Sequence, residues 1–490
     1  MGIVIRPFFM IRSVKNRRFP LQCLYNLKKY NKKYMKRGIF ATLTSRVVMV
    51  CMLAMMLPVF NSCNKESADA GDLLSTVPSS AGLVVGVNVK SVLEKSGCKV
   101  DGSDITPGQE VSAWIDRQKD VKDSARRALK LFLDGESGID PTAAIYFTDA
   151  YNSYLTAGIA DTGKFESFIV DQTGMNLEDA ENGVRTCGNI AIKDAQVWIC
   201  VSSNNTIDAK AVANYATLGD NQSFMQNGFS HNIATMTSDI VGWGDIKAIA
   251  KQGLPIGDFS TMNLVAGMLF ENASAISFNL DFDKGKCGGS LTVMNLDGEP
   301  AKYLLPSSKI DLTTVKSVGA NAQFVAAMTI TKDFTKKIEK IGSSLGGNMF
   351  GSFIDALKPI DGTVAVACGD LKNPESSLCG VVTTDGEASR DFMSMLSGFG
   401  ETKKDGKLVR VTKGTVSGPL DVAKAADMLK GSIFGVVMNM QNAEVGAGSV
   451  LKTMAFRLVP SGKGLKCDIT LESVDDSKNM LLSLIEQDAK

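Results

Sequence analysis

The sequence predicts an α+β fold: two tandem repeats, each a largely antiparallel sheet with helices packed on one face, after a cleaved leader. Short apolar or alternating strand runs, bounded by turn residues, recur through the chain. Helical stretches follow several of them after only a few residues, which favours helices laid on a sheet. Four such elements also return in the same order in the second half of the chain, the signature of an internal duplication.

The first element is Leu83 to Val89, a buried-strand run followed by a short helical stretch from Ser91 to Lys95 and a stop at Gly97. Its counterpart is Phe324 to Ile330, followed by a helical pattern from Asp333 to Lys340 and a stop at Gly342. The second is a turn feeding a strand, Ile139 to Phe147, matched by Ile360 to Cys368. In the third, Ala157 to Gly163 leads into the helical Phe165 to Phe168, as Cys379 to Gly386 leads into Phe392. The fourth is a hairpin. Ser274 to Phe282 alternates, with Ile276, Phe278, Leu280 and Phe282 on one face, and turns through Asp283 to Lys286 into Cys287 to Met294. Met454 to Val459, the turn Ser461 to Gly464 and Cys467 to Leu471 repeat it, with Lys-Cys at the same step. The repeats are placed at 75–300 and 315–486. The first is longer through a helical insertion near 108–134 and a polar segment near 204–236.

The region before the repeats reads as an export signal. Residues 1–62 contain twelve basic residues and no acidic ones. Within them, Lys36, Arg37 and Arg46 precede the uncharged run Val47 to Phe60, whose length suits the apolar core of a signal peptide and is short for a membrane span. Asn61-Ser62-Cys63 follows, then a polar stretch. This order resembles a bacterial lipobox, which implies cleavage before Cys63 and a lipid anchor on that cysteine. The expected boundaries are a basic extension at 1–34, read as a mis-assigned start, a signal peptide at 35–62 and an acidic tether at 63–74.

Val77 to Ser91, standing just after such a cysteine and short linker, resembles the uncharacterised Bacteroidota lipoprotein family catalogued as domain of unknown function 4836. The resemblance implies an outer-membrane lipoprotein and no particular chemistry. Lys65, Glu66, Asp69 and Asp72 look like a surface-export signal of that phylum and are equally explained as a solvated tether. The periplasmic and surface sides of the membrane both stay open.

Charge and motifs exclude more than they assign. Twelve of the 53 basic residues precede Cys63, leaving 41 against 52 acidic ones and a net charge near −11 from Cys63 onward. Such a body repels nucleic acid, whose phosphates demand a basic face. His231 is the single histidine, placed in a polar, loop-like stretch, so histidine-based catalysis or metal binding would rest on it alone. Ser96-Gly-Cys-Lys99 and Ser203-Asn-Asn205 imitate serine acyl-enzyme motifs, but no Lys-Thr-Gly strand accompanies them. Every Gly-Lys pair lacks the following Ser or Thr of a P-loop. Asp281 and Asp283 read as a hairpin turn rather than a calcium loop, since Gly285 and Thr292 stand where oxygen ligands are needed.

Seven cysteines follow Cys63 and none forms C-x-x-C. Cys368 and Cys379 would face each other across a hairpin and are either bridged or two small buried apolar residues. Met393, Met395, Met438 and Met440 read as core filling. No cofactor or metal site is expected. The functional expectation is a non-enzymatic binding or assembly module for a protein or glycan ligand. The alternative is a glycan-active hydrolase or lyase using Asp/Glu pairs, which need spatial proximity alone. A groove without facing carboxylates favours binding; two facing carboxylates in a cleft favour the enzyme. If Cys63 carries the acyl anchor, Cys63→Ala abolishes radiolabelled palmitate incorporation and leaves the chain uncleaved or soluble.

Overall fold

Among the described residues, eighteen strands join edge to edge in one open sheet in which every pairing is antiparallel. The structure, a computed structural model, describes residues 70–118, 123–149, 152–201, 207–252, 270–295, 297–306, 308–344, 351–371, 373–386, 388–441 and 450–488. The leader, Cys63 and Ser203-Asn-Asn205 lie outside the described residues.

In chain order the strands are β1 Leu83–Asn88, β2 Ile139–Thr148, β3 Ser153–Ile159, β4 Glu178–Asp179, β5 Arg185–Cys187, β6 Ile190–Lys193, β7 Gln196–Cys200, β8 Ile240–Asp245 and β9 Ala275–Asp283. They continue as β10 Lys286–Met294, β11 Phe324–Ile330, β12 Ile360–Cys368, β13 Leu378–Thr384, β14 Glu401–Asp405, β15 Leu408–Lys413, β16 Phe434–Asn439, β17 Leu451–Ser461 and β18 Gly464–Ser473. From one edge the sheet runs β4-β5-β6-β7-β3-β2-β1-β8-β9-β10. It then crosses to β18-β17-β16-β11-β12-β13-β15-β14. The join is β10 with β18, paired from Lys286↔Glu472 to Thr292↔Lys466. The outermost strands are short and charged: β4 is Glu178-Asp179, and β14 exposes Lys403 and Lys404. Charge at an edge discourages pairing with another chain.

Fourteen α-helices stand among the described residues: α1 Ala70–Ser75, α2 Val89–Lys95, α3 Gln109–Arg117, α4 Asp123–Leu133, α5 Thr162–Thr173, α6 Ala209–Tyr215 and α7 Ser230–Ala234. The rest are α8 Ile246–Gln252, α9 Leu312–Lys316, α10 Lys332–Ser344, α11 Gly351–Leu357, α12 Arg390–Ser397, α13 Val422–Met428 and α14 Met480–Asp488. Side-chain alternation sorts them. On β1, Val87 joins a core with α2 to α5 and α14, while Val84 joins another with α1, α6 and α7. On β11, Val325 and Ala327 meet α9 and α13, while Met328 and Ile330 meet α10, α11 and α12. Helices therefore cover both faces, which corrects the expectation of one. The physical reason lies in the strands: β2 buries Ala143, Ile145 and Phe147 on one side and Ala144 on the other, and a strand apolar on both sides needs two covers. We call the side carrying Val87 the first face and the side carrying Val84 the second.

The expected tether also ends sooner than residue 74. Leu73 and Leu74 on α1 are fully buried in the second-face core, and such burial is worth about 1.5–3 kcal/mol per side chain. Local rules set the helix starts. Asn88 accepts the Ser91 N–H at the head of α2, and Asp311 and Asp421 each accept two backbone N–H groups at the heads of α9 and α13. The β9–β10 turn needs Gly285: its φ is +68°, and a Cβ there would lie 2.7 Å from the Asp476 Cα of the crossing C-terminal segment.

One buried carboxylate ties α2 to the sheet. Asp239, 1% exposed, accepts from Lys95 Nζ at 2.8 Å, Ser91 Oγ at 2.6 Å and the Phe282 N–H at 2.6 Å. Asp239→Ala strands those donors and should cost about 2–4 kcal/mol, read as a lower urea midpoint at unchanged slope.

Candidate functional site: an apolar trough across the join

The hairpin alternation seen in the sequence acquires its meaning where β10 meets β18. Cross-strand partners share a face, so the register can be followed across the join. Phe278 pairs with Leu291, Leu291 with Cys467, Cys467 with Leu458 and Leu458 with Phe434. All five lie on the first face. The same face takes every second residue from Ile276 to Phe282 on β9, Cys287 to Val293 on β10 and Leu465 to Leu471 on β18. It also takes Met454 to Pro460 on β17 and Phe434 to Met438 on β16. None of these positions carries a side-chain nitrogen or oxygen. At about 4.8 Å per strand spacing, the five strands give an apolar band roughly 19 Å wide.

On β9, β10 and β18 the opposite face is mostly polar, while on β16 and β17 it buries Val437 and Ala455 in the core of α9 and α13. Arg457 Nη2 lies 3.1 Å from Asp468 Oδ2, Lys466 Nζ lies 3.2 Å from Asp468 Oδ1, and Asn279 Nδ2 donates to Ser238 Oγ at 3.1 Å. Ser290 Oγ hydrogen-bonds to Asn279 Oδ1. The join of β10 with β18 is thus amphipathic, polar on the second face and apolar on the first.

The first-face band is bounded where described elements cross it. Helix α14 closes one end, its Met480, Leu481 and Ile485 packing with Phe282, Cys287 and Leu471. At the other, Leu305 packs against the cluster of α10 to α12. Between them, Leu291, Ile469, Phe456, Val436 and Phe434 belong to none of the four packed clusters formed by described residues. Ile469 is 41% exposed. The Phe434 and Phe456 rings meet edge-on at 6.0 Å, and Phe278 lies over Gly242, where a Cβ would fall 2.2 Å from the ring. The floor is therefore built of interlocked rings and aliphatic chains.

Elsewhere the residues singled out in the sequence are placed in structural roles or kept apart. His231 is exposed on α7, in a helix rather than the expected loop. Ser96 is buried and donates to the Leu93 carbonyl at 2.6 Å, while Lys99 is exposed on the small ribbon of Lys99–Asp101 and Asp104–Thr106. Asp281 Oδ1 accepts the Asp239 N–H at 3.2 Å, and Asp283 pairs with Lys286 as a hairpin end. Among the described residues no group of three or more His, Cys, Asp or Glu could hold a metal. Cys368 and Cys379 do not face each other. Cys368 pairs with Leu378 and Cys379 with Ala367, one residue out of step, so pleating sends the two free thiols to opposite faces. Met395 is 39% exposed on α12 rather than core filling, whereas Met440 is buried.

The sequence singles out Met454 to Val459 on β17 and Met438 on β16, but neither their place in one apolar band nor the exposure of Ile469. The available signal was the strict alternation of both hairpins; the missing information was which strands would be neighbours.

No family model matches the chain, and no curated protein matches it. It is similar to solved structures of the protein TP0453. Crystal form IV matches with TM-score 0.29 and 13% identity over 46% of this chain and 80% of that one. Crystal form I matches with TM-score 0.28 and 10% identity over 74% and 97%, and form III with 0.28 and 11% over 73% and 96%. A likeness this distant carries no argument about function. Among the described residues, no helix is long and apolar enough to cross a membrane.

Cys467 reports on the trough directly, being half-buried where the other described cysteines are buried. Burial, and then the charge of Asp468, push its thiol up to about 11. Only the thiolate is alkylated, so iodoacetamide labelling of the Cys467 peptide should rise about tenfold per pH unit from 8 to 10. Mass spectrometry of that peptide checks it; a rate already level at pH 9 contradicts the assignment.

Proposed function

We propose that the chain is a non-enzymatic binding module, held on the outer membrane by lipid at Cys63, whose ligand is an apolar molecule seated in the trough. The observation that carries the reading is the unbroken run of first-face positions without a polar side-chain atom. A cleft for sugar or peptide needs hydrogen-bonding groups for the ligand's own, and this floor offers none. Asp239 and Asp281, which lie near each other, are both bonded to protein groups, so this pair does not favour the glycan-active alternative. Placement in the Bacteroidota lipoprotein family rests on the sequence features alone.

The same reading takes the body as a duplicated unit. Its support is the common order of the two strand series: β1, β2, β3, β6, β7, β8, β9 and β10 occupy the places of β11, β12, β13, β14, β15, β16, β17 and β18. A bulge falls between Ile139 and Ala144 in one series and between Ile360 and Val364 in the other. Helices α1 and α9 precede the first strand of each series, and α2 and α10 follow it. The join is symmetric as well. Cys287 pairs with Leu471 and Cys467 with Leu291, and in each series the leucine stands four residues after the cysteine. Such a register is a local two-fold passing through the pair Gly289↔Ile469.

The test uses the uncharged dye N-phenyl-1-naphthylamine with the full-length protein. Bound dye should brighten, and Ile469→Lys should weaken binding at least about tenfold, because an ammonium in the trough must be desolvated. Ile469→Met should retain it. Equal dye binding by Ile469→Lys sinks the proposal.

A further inference from the structure

We propose that the corner of the second face built by α1, the 3₁₀ turn Phe224–Gln226 and α7 lies against the bilayer that holds the acyl anchor, with the Met225 side chain in its head-group region. The proposal rests on the lipid anchor at Cys63 and adds which surface of the body meets the membrane.

The length of the link makes the first argument. Cys63 and Ala70 are seven residues apart, and a fully extended chain of that length spans at most about 25 Å. The eighteen strands of the sheet, at about 4.8 Å per spacing, extend over roughly 80 Å. So short a link keeps the surroundings of α1 nearest the lipid. Helix α1 packs on the second face against β2 and β3, so that face is the one turned to the membrane.

The second argument is that the elements beside α1 are fastened to it. The Val77 carbonyl accepts the Phe224 N–H at 2.7 Å, the Gln222 carbonyl accepts the Ser79 N–H at 2.8 Å, and Pro78 bridges to Ser223 between them. Ser230 Oγ donates to the Met225 carbonyl at 2.9 Å, which ties α7 to the same turn. Leu73, Leu74, Val77, Phe224 and Ile233 share one buried core. The helix nearest the anchor, the turn and α7 are therefore one packed piece.

The third argument is chemical. Residues 221–238 contain no Asp, Glu, Lys or Arg, in a chain that is 21% charged. Their exposed surface is Gln222, Gln226, His231, Asn232 and Thr235, with Met225 40% exposed among them. Amides and hydroxyls exchange water for head-group oxygens at little cost, a thioether inserts, and a charge would have to be desolvated. From Cys63 onward 41 basic residues stand against 52 acidic ones, so an uncharged patch is where this acidic body approaches a lipid surface at the lowest electrostatic cost. A charged protein partner would require complementary charges that the patch lacks.

The experiment reconstitutes full-length acylated protein into vesicles of phosphatidylcholine and phosphatidylethanolamine, checks anchoring by flotation, and oxidises exposed methionines with chloramine-T, an anionic reagent that stays in water. Peptide mass spectrometry reads Met225 against two methionines on first-face elements: Met395 on α12, 39% exposed, and Met175 just beyond α5, 51% exposed. Met225 should oxidise at least about fivefold more slowly than Met395, although the two are equally exposed in the protein itself. A second protein carries about twenty Gly/Ser residues between Asp69 and Ala70, which keeps the anchor and frees the body. There Met225 should return to the rate of Met395. Equal rates at Met225 and Met395 in floating wild type overturn the proposal and leave the anchor standing. A slow Met225 that the insert does not change is intrinsic to the fold and also overturns it. So does protection of Met175 or Met395 in place of Met225, which turns another face to the lipid. Protein that fails to float removes the anchor reading itself, and the proposal with it.

Discussion

The antiparallel pairing of β10 with β18 is the constraint on which the rest of this structure depends. It holds the two strand series in one sheet and decides which side chains share a surface across the seam. Because side chains alternate with a period of two, slipping this register by one residue would move Leu291 opposite Asp468 rather than Cys467. The Arg457–Asp468–Lys466 group would then face the apolar band, with charges buried at a cost no neighbouring group offsets. Both hairpins are strongly alternating, so the penalty for slippage is paid on every residue of the join.

From that register follows the division of labour between the two faces. Away from the join, strands apolar on both sides are sandwiched by helices, and Trp198 and Phe132 at the centres of the two cores are each 1% exposed. At the join, the second face is polar, and Arg457 there reaches the Met428 carbonyl of α13. The first face is apolar, and Leu291, Ile469 and Phe456 are not part of the packed clusters of described residues. A contiguous apolar patch of this kind on a water-exposed protein marks a binding surface more often than a packing fault. The band is thus the product of a hairpin pattern that builds a sheet and of helical covers whose described residues leave Leu291, Ile469 and Phe456 outside their packed clusters.

The titratable and nucleophilic groups tell a consistent story. Asp239 is spent on Lys95, Ser91 and a backbone amide. Tyr215 donates to Asp149 within an aromatic group formed with Phe147 and Tyr154, and burial first, then that bond, raise its phenol. Burial, followed by the charges of Asp239 and Asp281, pushes the Cys287 thiol up to about 12. These groups stabilise the body; the proposed function uses the part of the molecule with the least polar chemistry.

Several features were legible from the chain itself. Alternation in Ser274 to Phe282, the turns at Gly285 and Gly462, and the strand character of Leu83 to Val89 and Phe324 to Ile330 are all local, and each is found where the pattern put it. Antiparallel pairing and the α+β class followed from short strands, short turns and interposed helices. What local pattern could not say was which strand lies beside which. Strand neighbours are chosen by long-range contacts, and helices on both faces follow from those; the one-residue offset between Cys368 and Cys379 is set instead by the connection between β12 and β13. Neither could alternation tell an apolar row covered by a helix from one left as a floor: Phe282 and Ile469 are equally apolar in sequence, yet one is buried under α14 and the other is 41% exposed. The chain by itself determined which residues are apolar and in what period. Only the tertiary structure, by bringing β10 against β18, decided that two apolar rows from opposite halves become one surface.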